Sequence, residues 1–334
     1  MVINTYIKDI EVYLPNRVVT NEDISKYNPE WDTQKILNKV GIQSRHMASD
    51  DESSFTLAYN VCSNLLERKI SYKDEIDYIL YSTLNHEHFM MLSSALLQNR
   101  LGLKKECGSV DLRLSCTGYL QMLSIAKALI ISGQAKNVLL VTSDTYSKLI
   151  DNSDIGTYSI FGDAATATIV SNEGWAEIGE IYLGVDGVGT ENHIYRTQCI
   201  NNSFPSDDIK LNESSILYRK DKFYMVGSEI FNFVTRVVPE QYSKFLDEND
   251  YRLEDIDMHI FHQANKYMLS YLRKKMNIPE DKFYINMSDV GNTSTSSIPI
   301  SLYRIKSNLN QYNKIGLCSF GGGYTWASSI ITIL

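Results

Sequence analysis

Three residues whose types could serve nucleophilic chemistry, a thiol, an imidazole and an amide, sit in three separate stretches: Cys116 in DLRLSCTGY, His262 in IFHQAN and Asn292 in VGNTSTSS. Cys116 follows a Val-Asp-Leu-Arg-Leu-Ser run and precedes Thr-Gly, which predicts a strand turning sharply into a helix. At a helix start, the macrodipole and unpaired amide donors favour the thiolate, the nucleophilic form. Taken alone, a single buried cysteine is more often inert packing; Cys62 and Cys318 lie in apolar segments of that kind. His262 ends the alternating run IDMHIF, so it falls at the carboxyl end of a strand, where α/β folds bind ligands. There it can act as acid, base or hydrogen-bond donor, although lone histidines are more often structural and His259 in the same run is given no role. Asn292 follows Gly291 and by itself reads as a helix cap or turn. The triplet Gly321–Gly323 after IGLCSF permits close backbone approach and can aim an amide N–H at an oxyanion, or simply make a tight turn. It lacks the spacing of a nucleotide-phosphate loop. His86 and His88 have no further ligand set, so no metal site is expected.

The elements that must position these groups come in two echoing sets. DEIDYILYS (74–82) parallels EDIDMHIFH (254–262), and KNVLLVTSD (136–144) parallels NKIGLCSFG (313–321). Between them, ALLQNRLGL (95–103) parallels SYLRKKMNI (270–278), and the passage through Cys116 parallels the one through Asn292. Four matches in the same order, offset by 175 to 180 residues, predict a duplicated strand–helix–strand–helix–strand unit. The boundary is placed in SNEGW, giving halves 1–174 and 175–334, with 184–215 as an insertion or loop. The segment Gly118–Ile131 is apolar nearly all round, so this helix is expected to be buried on nearly every face, with Cys116 at its start reached by a tunnel. A second helix is expected over 298–305, with Pro299 in its first turn.

Bulk properties narrow the function. The 334 residues carry a formal charge of −8 and 43% hydrophobic residues, which fits a globular protein and disfavours a nucleic-acid binder. No apolar stretch reaches transmembrane length, so no membrane insertion is expected. The N-terminus has no signal-peptide pattern, and the odd number of cysteines, five, includes no CxxC. Reduced thiols in a cytoplasmic protein are therefore expected.

With these pieces in place, the chain resembles the β-ketoacyl-acyl carrier protein synthase III family of the thiolase superfamily. The resemblance is carried by GIQSRHMA (41–48), DLRLSCTGY (111–119), FGDAATATIV (161–170), MVGSEIF (225–231), FHQANKYML (261–269), GNTSTSSIPISL (291–302) and SFGGGYTWASS (319–329). It implies a thiolase-like α/β fold of duplicated units in αβαβα layers with mixed sheets. It further implies that Cys116 takes an acyl group from a thioester primer, acyl-CoA or acyl-ACP. His262 and Asn292 would then hydrogen-bond the malonyl-ACP thioester during decarboxylation. The backbone N–H groups of Cys116 and Gly322 would form the oxyanion hole, and Phe320 would flank the site. Two neutral donors suit an enolate, whereas a carboxylate at position 292 would repel it.

The same resemblance implies substrate contacts from Trp31, Lys39, Met90 and Ser228, and a carrier-protein patch of Lys266, Arg273, Lys274 and Lys275. It implies no cofactor, since CoA and phosphopantetheine thioesters are substrates. It also implies a homodimer in which segment 85–92, with Met90 and Met91, reaches the partner's acyl pocket. This chain departs from the family at Ile155 and Tyr267, where arginines are usual, and at Lys39, which replaces an arginine. Those departures point to a specialised member with a non-standard primer or a carrier-borne donor. Two rivals stay open: an acyltransferase passing the acyl group from Cys116 to oxygen or nitrogen, and a non-catalytic partner subunit.

Overall fold

Alternation of apolar side chains builds the central sheet, because successive residues of a strand face opposite sides. In the computed structural model, which describes residues 3–27, 29–86, 91–195 and 222–334, ten strands form one sheet. In chain order they are β1 (Tyr6–Tyr13), β2 (Tyr78–Ser82), β3 (Gly108–Leu112), β4 (Asn137–Asp144) and β5 (Ala164–Ser171). The second five are β6 (Ala176–Val185), β7 (Met258–Phe261), β8 (Phe283–Tyr284), β9 (Lys314–Gly321) and β10 (Thr325–Ile333). Their spatial order is β8-β7-β9-β10-β6-β1-β5-β4-β2-β3, which reads the same from either end once five is added to each label. The pairings repeat too. β2 runs parallel to β3 and β4, and β7 parallel to β8 and β9. β4 is antiparallel to β5, as β9 is to β10. Within the sheet the halves meet at β1 and β6, through Tyr6 with Glu177 and Ile7 with Ala176.

The helices that matter for the site are α1 (Thr33–Val40), α2 (Ser54–Arg68), α3 (Ser93–Leu101), α4 (Gly118–Ile131), α5 (Gly227–Glu248), α6 (Lys266–Lys275) and α7 (Ser297–Ile305). α4 touches β2, β4 and β5 of one half and β6 and β10 of the other; α7 touches β1, β5 and β7. Both therefore lie between the two half-sheets. α2 covers the outside of β1, β4 and β5, while α5 covers the outside of β9 and β10. Strand alternation feeds the resulting cores: Val138 and Leu140 face the central layer, whereas Leu139 and Val141 face α2. On β9, Ile315 and Leu317 face the centre, and Cys318 and Phe320 face α5. Each such aliphatic side chain contributes about 2 kcal/mol by leaving water. This is the thiolase-like layered α/β fold.

One expectation needs correction. α4 is not buried on nearly every face: Ile125 and Ile131 are 36% and 48% exposed, and Ala128 is exposed as well. These positions recur every three residues, so they form a stripe pointing away from both half-sheets. Apolar content alone did not reveal that stripe.

Candidate active site

Cys116 sits in the turn between β3 and α4, two residues before the helix begins, and is 6% exposed. Its sulfur stands at a cavity of about 90 Å³ that is also lined by His262, Asn265, Asn292, Phe320, Gly321 and Gly322. A methyl on Gly321 would fall 2.9 Å from Cys116 Cβ and 3.3 Å from Sγ, so only glycine lets β9 end this close to the thiol. Gly322 follows immediately and faces the same cavity.

His262 extends β7 and is 1% exposed. Its backbone N–H donates to Cys318 O at 2.7 Å, which carries the β7–β9 ladder one residue further. Its Nδ1 lies 2.7 Å from Ser297 Oγ, the first residue of α7, and its ring meets the Phe320 ring edge-on at 5.5 Å. Ser297 and Phe320 thus fix the plane of the imidazole. His259, three residues earlier, points instead into the core, where Tyr242 Oη lies 2.9 Å from its Nδ1 and burial lowers its pKa to about 4.

Asn292 belongs to the second half of the chain but is held by the first. It forms a parallel bridge with Phe161: its N–H donates to Ile160 O at 2.8 Å, and its carbonyl accepts from Gly162 N at 3.0 Å. Two glycines make that crossing possible. A methyl on Gly162 would lie 2.0 Å from Val290 O, and one on Gly291, at φ +70°, would lie 2.8 Å from Ile160 O. The buried Arg45 braces the crossing by donating to Val19 O, Asn21 Oδ1 and Ser159 O. Asn292 Oδ1 accepts from Ser294 N at 2.8 Å. The amide orientation is therefore fixed, and its NH2 group is left as the donor toward the cavity.

The electrostatics differ from the sequence-based expectation. Burial raises the Cys116 thiol to about 11 and the Asp144 charge adds to it, against hydrogen bonds from Ser294 and its own N–H. A sulfur whose thiol form burial favours calls for a base to take its proton. Cys62 and Cys318 are buried, and burial pushes both upward, Cys318 to about 12. Low accessibility keeps those two inert. Among the described residues no cluster suited to a metal ion is present.

The remaining expected residues do not all converge. Phe320 and Gly322 line the cavity with the catalytic candidates, but Trp31 and Lys39 do not. Those two meet each other, with Lys39 Nζ 5.0 Å from the Trp31 ring. Ile155 is 2% exposed within the core and offers no face to a ligand. Ser228 is exposed at the start of α5, beside the cavity residues Gly227 and Ile230 but not itself on the wall. Met90 lies outside the described residues, and Met91 is 51% exposed. On α6, Lys266 and Lys274 are exposed, Arg273 pairs with Glu280 at 3.3 Å, and Lys275 donates to Thr235 O at 2.7 Å. Lys266 and the two exposed tyrosines Tyr267 and Tyr271 lie along a helix whose start, Asn265 and Met268, lines the cavity. HQAN and GNTSTSS contain Asn265, Ser294 and Ser297, to which the sequence alone assigns no role. Their place within those motifs was the available signal.

The comparisons with known proteins agree with this geometry. The family profile of 3-oxoacyl-[acyl-carrier-protein] synthase III matches residues 110–187, and that of its C-terminal region matches residues 246–333. The chain is 33% identical to the β-ketoacyl-[acyl-carrier-protein] synthase III of Clostridium novyi (strain NT), over 98% of each chain. It is also 33% identical to the protein of that name from Lactococcus lactis subsp. cremoris (strain MG1363), covering 96% of this chain and 97% of that one. A crystal structure of a 3-oxoacyl-(acyl-carrier-protein) synthase III superposes with a TM-score of 0.91 at 34% identity, over 99% of this chain and 100% of the other. A cysteine, a histidine and an asparagine converging on one cavity in this fold, with similarity along the whole chain, make it a member of the 3-oxoacyl-[acyl-carrier-protein] synthase III family, a condensing enzyme of the acyltransferase class.

Proposed function

We propose that the enzyme condenses an acyl primer, delivered as a CoA or carrier-protein thioester, with malonyl-ACP through an acyl-Cys116 intermediate. The observation that carries this is the arrangement of donors. Asn292, its Oδ1 already engaged by Ser294 N, turns its NH2 toward the cavity that Cys116 and His262 share. In the first half-reaction His262 takes the proton of the Cys116 thiol, and the sulfur attacks the primer carbonyl. The backbone N–H groups of Cys116 and Gly322 hold the oxyanion, and the departing thiolate receives the proton. In the second, the malonyl thioester oxygen accepts from the His262 ring N–H and the Asn292 NH2. The bond to the carboxylate breaks, CO2 leaves, and its electron pair forms the enolate. The enolate carbon then attacks the acyl-Cys116 carbonyl and expels the Cys116 thiolate, which is reprotonated. Phe320 supports the His262 ring throughout.

The exposed cations Lys266 and Lys274, with Arg273 and Lys275 on the same helix, fit an acidic carrier protein. Trp31, Lys39, Ser228 and Met90 are assigned to the donor and primer on the family resemblance, and no cofactor or metal is required. The halves 1–174 and 175–334 are the units of duplication, the first carrying the nucleophile and the second the donors. β3, which ends the sheet, is the edge at which a second copy pairs in a homodimer. A cytoplasmic site of action fits a chain in which, among the described residues, no helix is long and apolar enough to cross a membrane.

The decisive experiment offers the purified protein a panel of acyl-CoA and acyl-ACP donors, follows acyl mass on Cys116, then adds malonyl-ACP. Acylation followed by CO2 release and a β-ketoacyl product is expected. Acylation without CO2 release would favour an O- or N-acyltransferase instead, and no acylation by any donor would favour a partner subunit.

A further inference from the structure

The two backbone N–H groups assigned to the oxyanion come from opposite halves of the chain, Cys116 in the turn before α4 and Gly322 in the β9–β10 hairpin. Such a pair works only when both donors stay within hydrogen-bond range of one point. Cys116 is steadied by the start of α4, but the hairpin loop opens on Gly321, Gly322 and Gly323, which carry no side chains to anchor it. Glycines leave the backbone many conformations, so the place of Gly322 must be imposed by its neighbours.

Three side chains supply that hold. Thr325, the first residue of β10, donates its hydroxyl to Gly322 O at 3.2 Å. Its Oγ1 lies 3.0 Å from Oγ1 of Thr117, the residue that follows the nucleophile. Gln121, four residues further along α4, brings Nε2 to 2.7 Å from Thr117 Oγ1. The direction of this chain is fixed from its far end. A carbonyl oxygen only accepts, so the single proton of Thr325 goes to Gly322 O. Thr325 must then accept from Thr117, and Thr117 from the Gln121 NH2. Thr117 is 1% exposed, so water has no access to replace its bonds. Thr117, Gln121 and Thr325 all stand outside the cavity wall, and their route to the reaction runs through Gly322, which lines it.

We propose that Thr117 is a positioning residue for acyl transfer: through Thr325, and backed by Gln121, it holds the Gly322 N–H in register with the Cys116 N–H across the two halves. This rests on the acyl-Cys116 reading above, but its test needs neither a natural primer nor malonyl-ACP. Two small reagents modify Cys116 by different routes. With the acetyl thioester of N-acetylcysteamine, the sulfur adds to the carbonyl and an oxyanion forms. Its collapse expels the N-acetylcysteamine thiolate, which takes up the thiol proton, and acetyl-Cys116 remains. With iodoacetamide, the sulfur displaces iodide at a saturated carbon, the proton passes to buffer, and no oxyanion forms. Both rates are read by intact mass on the wild type, Thr117→Val, Thr117→Ser and Thr325→Val. Label that persists on Cys116→Ala is subtracted, and a thermal melt confirms folding.

Thr117→Val keeps the volume and loses the donor. Deleting an oxyanion donor outright costs about 10²- to 10³-fold, and displacing one costs less, so acetylation should slow about tenfold while alkylation stays nearly constant. Thr117→Ser, which keeps the hydroxyl, should recover most of that loss. Thr325→Val removes the bond to Gly322 O itself and should slow acetylation at least as much; adding Thr117→Val to it should cost little more, because both act through one chain. A general change in the fold or in the sulfur would move both reagents together, and that parallel loss overturns the proposal. So does a folded Thr117→Val with an unchanged acetylation-to-alkylation ratio. If Thr117→Val does not fold, the same ratio in Thr325→Val decides. A wild type that is alkylated but never acetylated overturns the proposal and the acyl-Cys116 reading together. Failure to condense with malonyl-ACP would sink only the functional reading and leave this result standing.

Discussion

The two turns that meet at the cavity, 113–118 and 285–297, occupy equivalent places in the two halves of the sheet yet are built differently. The first is spare: β3 ends, Gly118 N–H donates to Ser115 O at 2.7 Å, and α4 starts without a side-chain cap. The second is irregular, with positive φ at Gly291 and Ser294 and a 3-10 turn, Ser294–Ser296, ahead of α7. The hydroxyl residues Ser294, Thr295, Ser296 and Ser297 are buried and each reaches a different partner. Ser294 approaches Cys116, Thr295 donates to Ser115 O at 3.0 Å, Ser296 meets Thr142 at 2.7 Å, and Ser297 holds His262 at 2.7 Å. The two turns also touch directly, since a methyl on Gly118 would sit 2.9 Å from Thr295 Cγ2. One turn delivers a nucleophile, which needs only a helix start and room. The other aims two hydrogen-bond donors, and aiming requires side chains to lean on.

Substitutions on the two sides of that comparison should separate the half-reactions. Removing the nucleophile has the largest effect: Cys116→Ala should abolish acyl transfer and lower condensation by at least about 10³-fold. Intact mass after incubation with the primer reports it, and acyl mass persisting elsewhere on the chain would break the assignment. Next comes Asn292→Asp, nearly isosteric, which replaces the NH2 donor with an acceptor oxygen. Decarboxylation of malonyl-ACP should fall about 10²- to 10³-fold, while acylation of Cys116 changes by only a few-fold. Equal losses in both steps would show that the second turn does not specialise in the enolate.

How much of this was legible beforehand follows the same division. Strand alternation and the internal echo marked β2, β4, β7 and β9, because burial on two faces imposes a pattern that a single chain displays. The Cys116, His262 and Asn292 positions were readable as strand ends and helix starts, and the family resemblance turned them into roles. The STSS run was not readable, since a string of small hydroxyls looks like a loop until its partners, 35 to 181 residues away, are known. The exposed stripe on α4 failed for the opposite reason: composition reports how apolar a helix is, not which face meets water. Nor does a helix start reveal how deeply Cys116 is buried, which raises its thiol.

Ser297→Ala tests the aiming function with a smaller effect. Without its partner at 2.7 Å, the His262 ring loses the group that fixes its plane and whose hydroxyl can donate to or accept from Nδ1 as the tautomer requires. Both half-reactions should slow about tenfold, with the pH–rate profile of acylation displaced and partial rescue by Ser297→Thr. A rate change with no displacement of the profile would mean that Ser297 only packs.

The smallest effect concerns Asp144, at the end of β4 beneath the nucleophile turn. It is fully buried, and burial raises its pKa from 3.8 to about 7, with the Asp163 charge adding and the Leu84 N–H and the Thr295 and Thr83 hydroxyls opposing. Because the folded-state value lies above the unfolded one, the folded protein binds the extra proton between about pH 4 and 7. Its contribution to stability is therefore full below pH 4, lost as the pH rises through 7, and flat beyond. Asp144→Asn removes that slope, at most about 1.4 kcal/mol per pH unit, while Asp163, itself raised to about 6, still titrates in both proteins. Exchanging an oxygen for NH2 shifts stability by a pH-independent amount, so the readout is the change in the Tm difference between pH 4 and 8, which should move in favour of Asp144→Asn. The same substitution removes a charge that raises the Cys116 thiol, so alkylation of Cys116 at pH 8 should quicken. If the Tm difference stays constant with pH and the alkylation rate is unaltered, Asp144 is uncharged on both sides of neutrality, and the first turn then owes its high thiol pKa to burial alone.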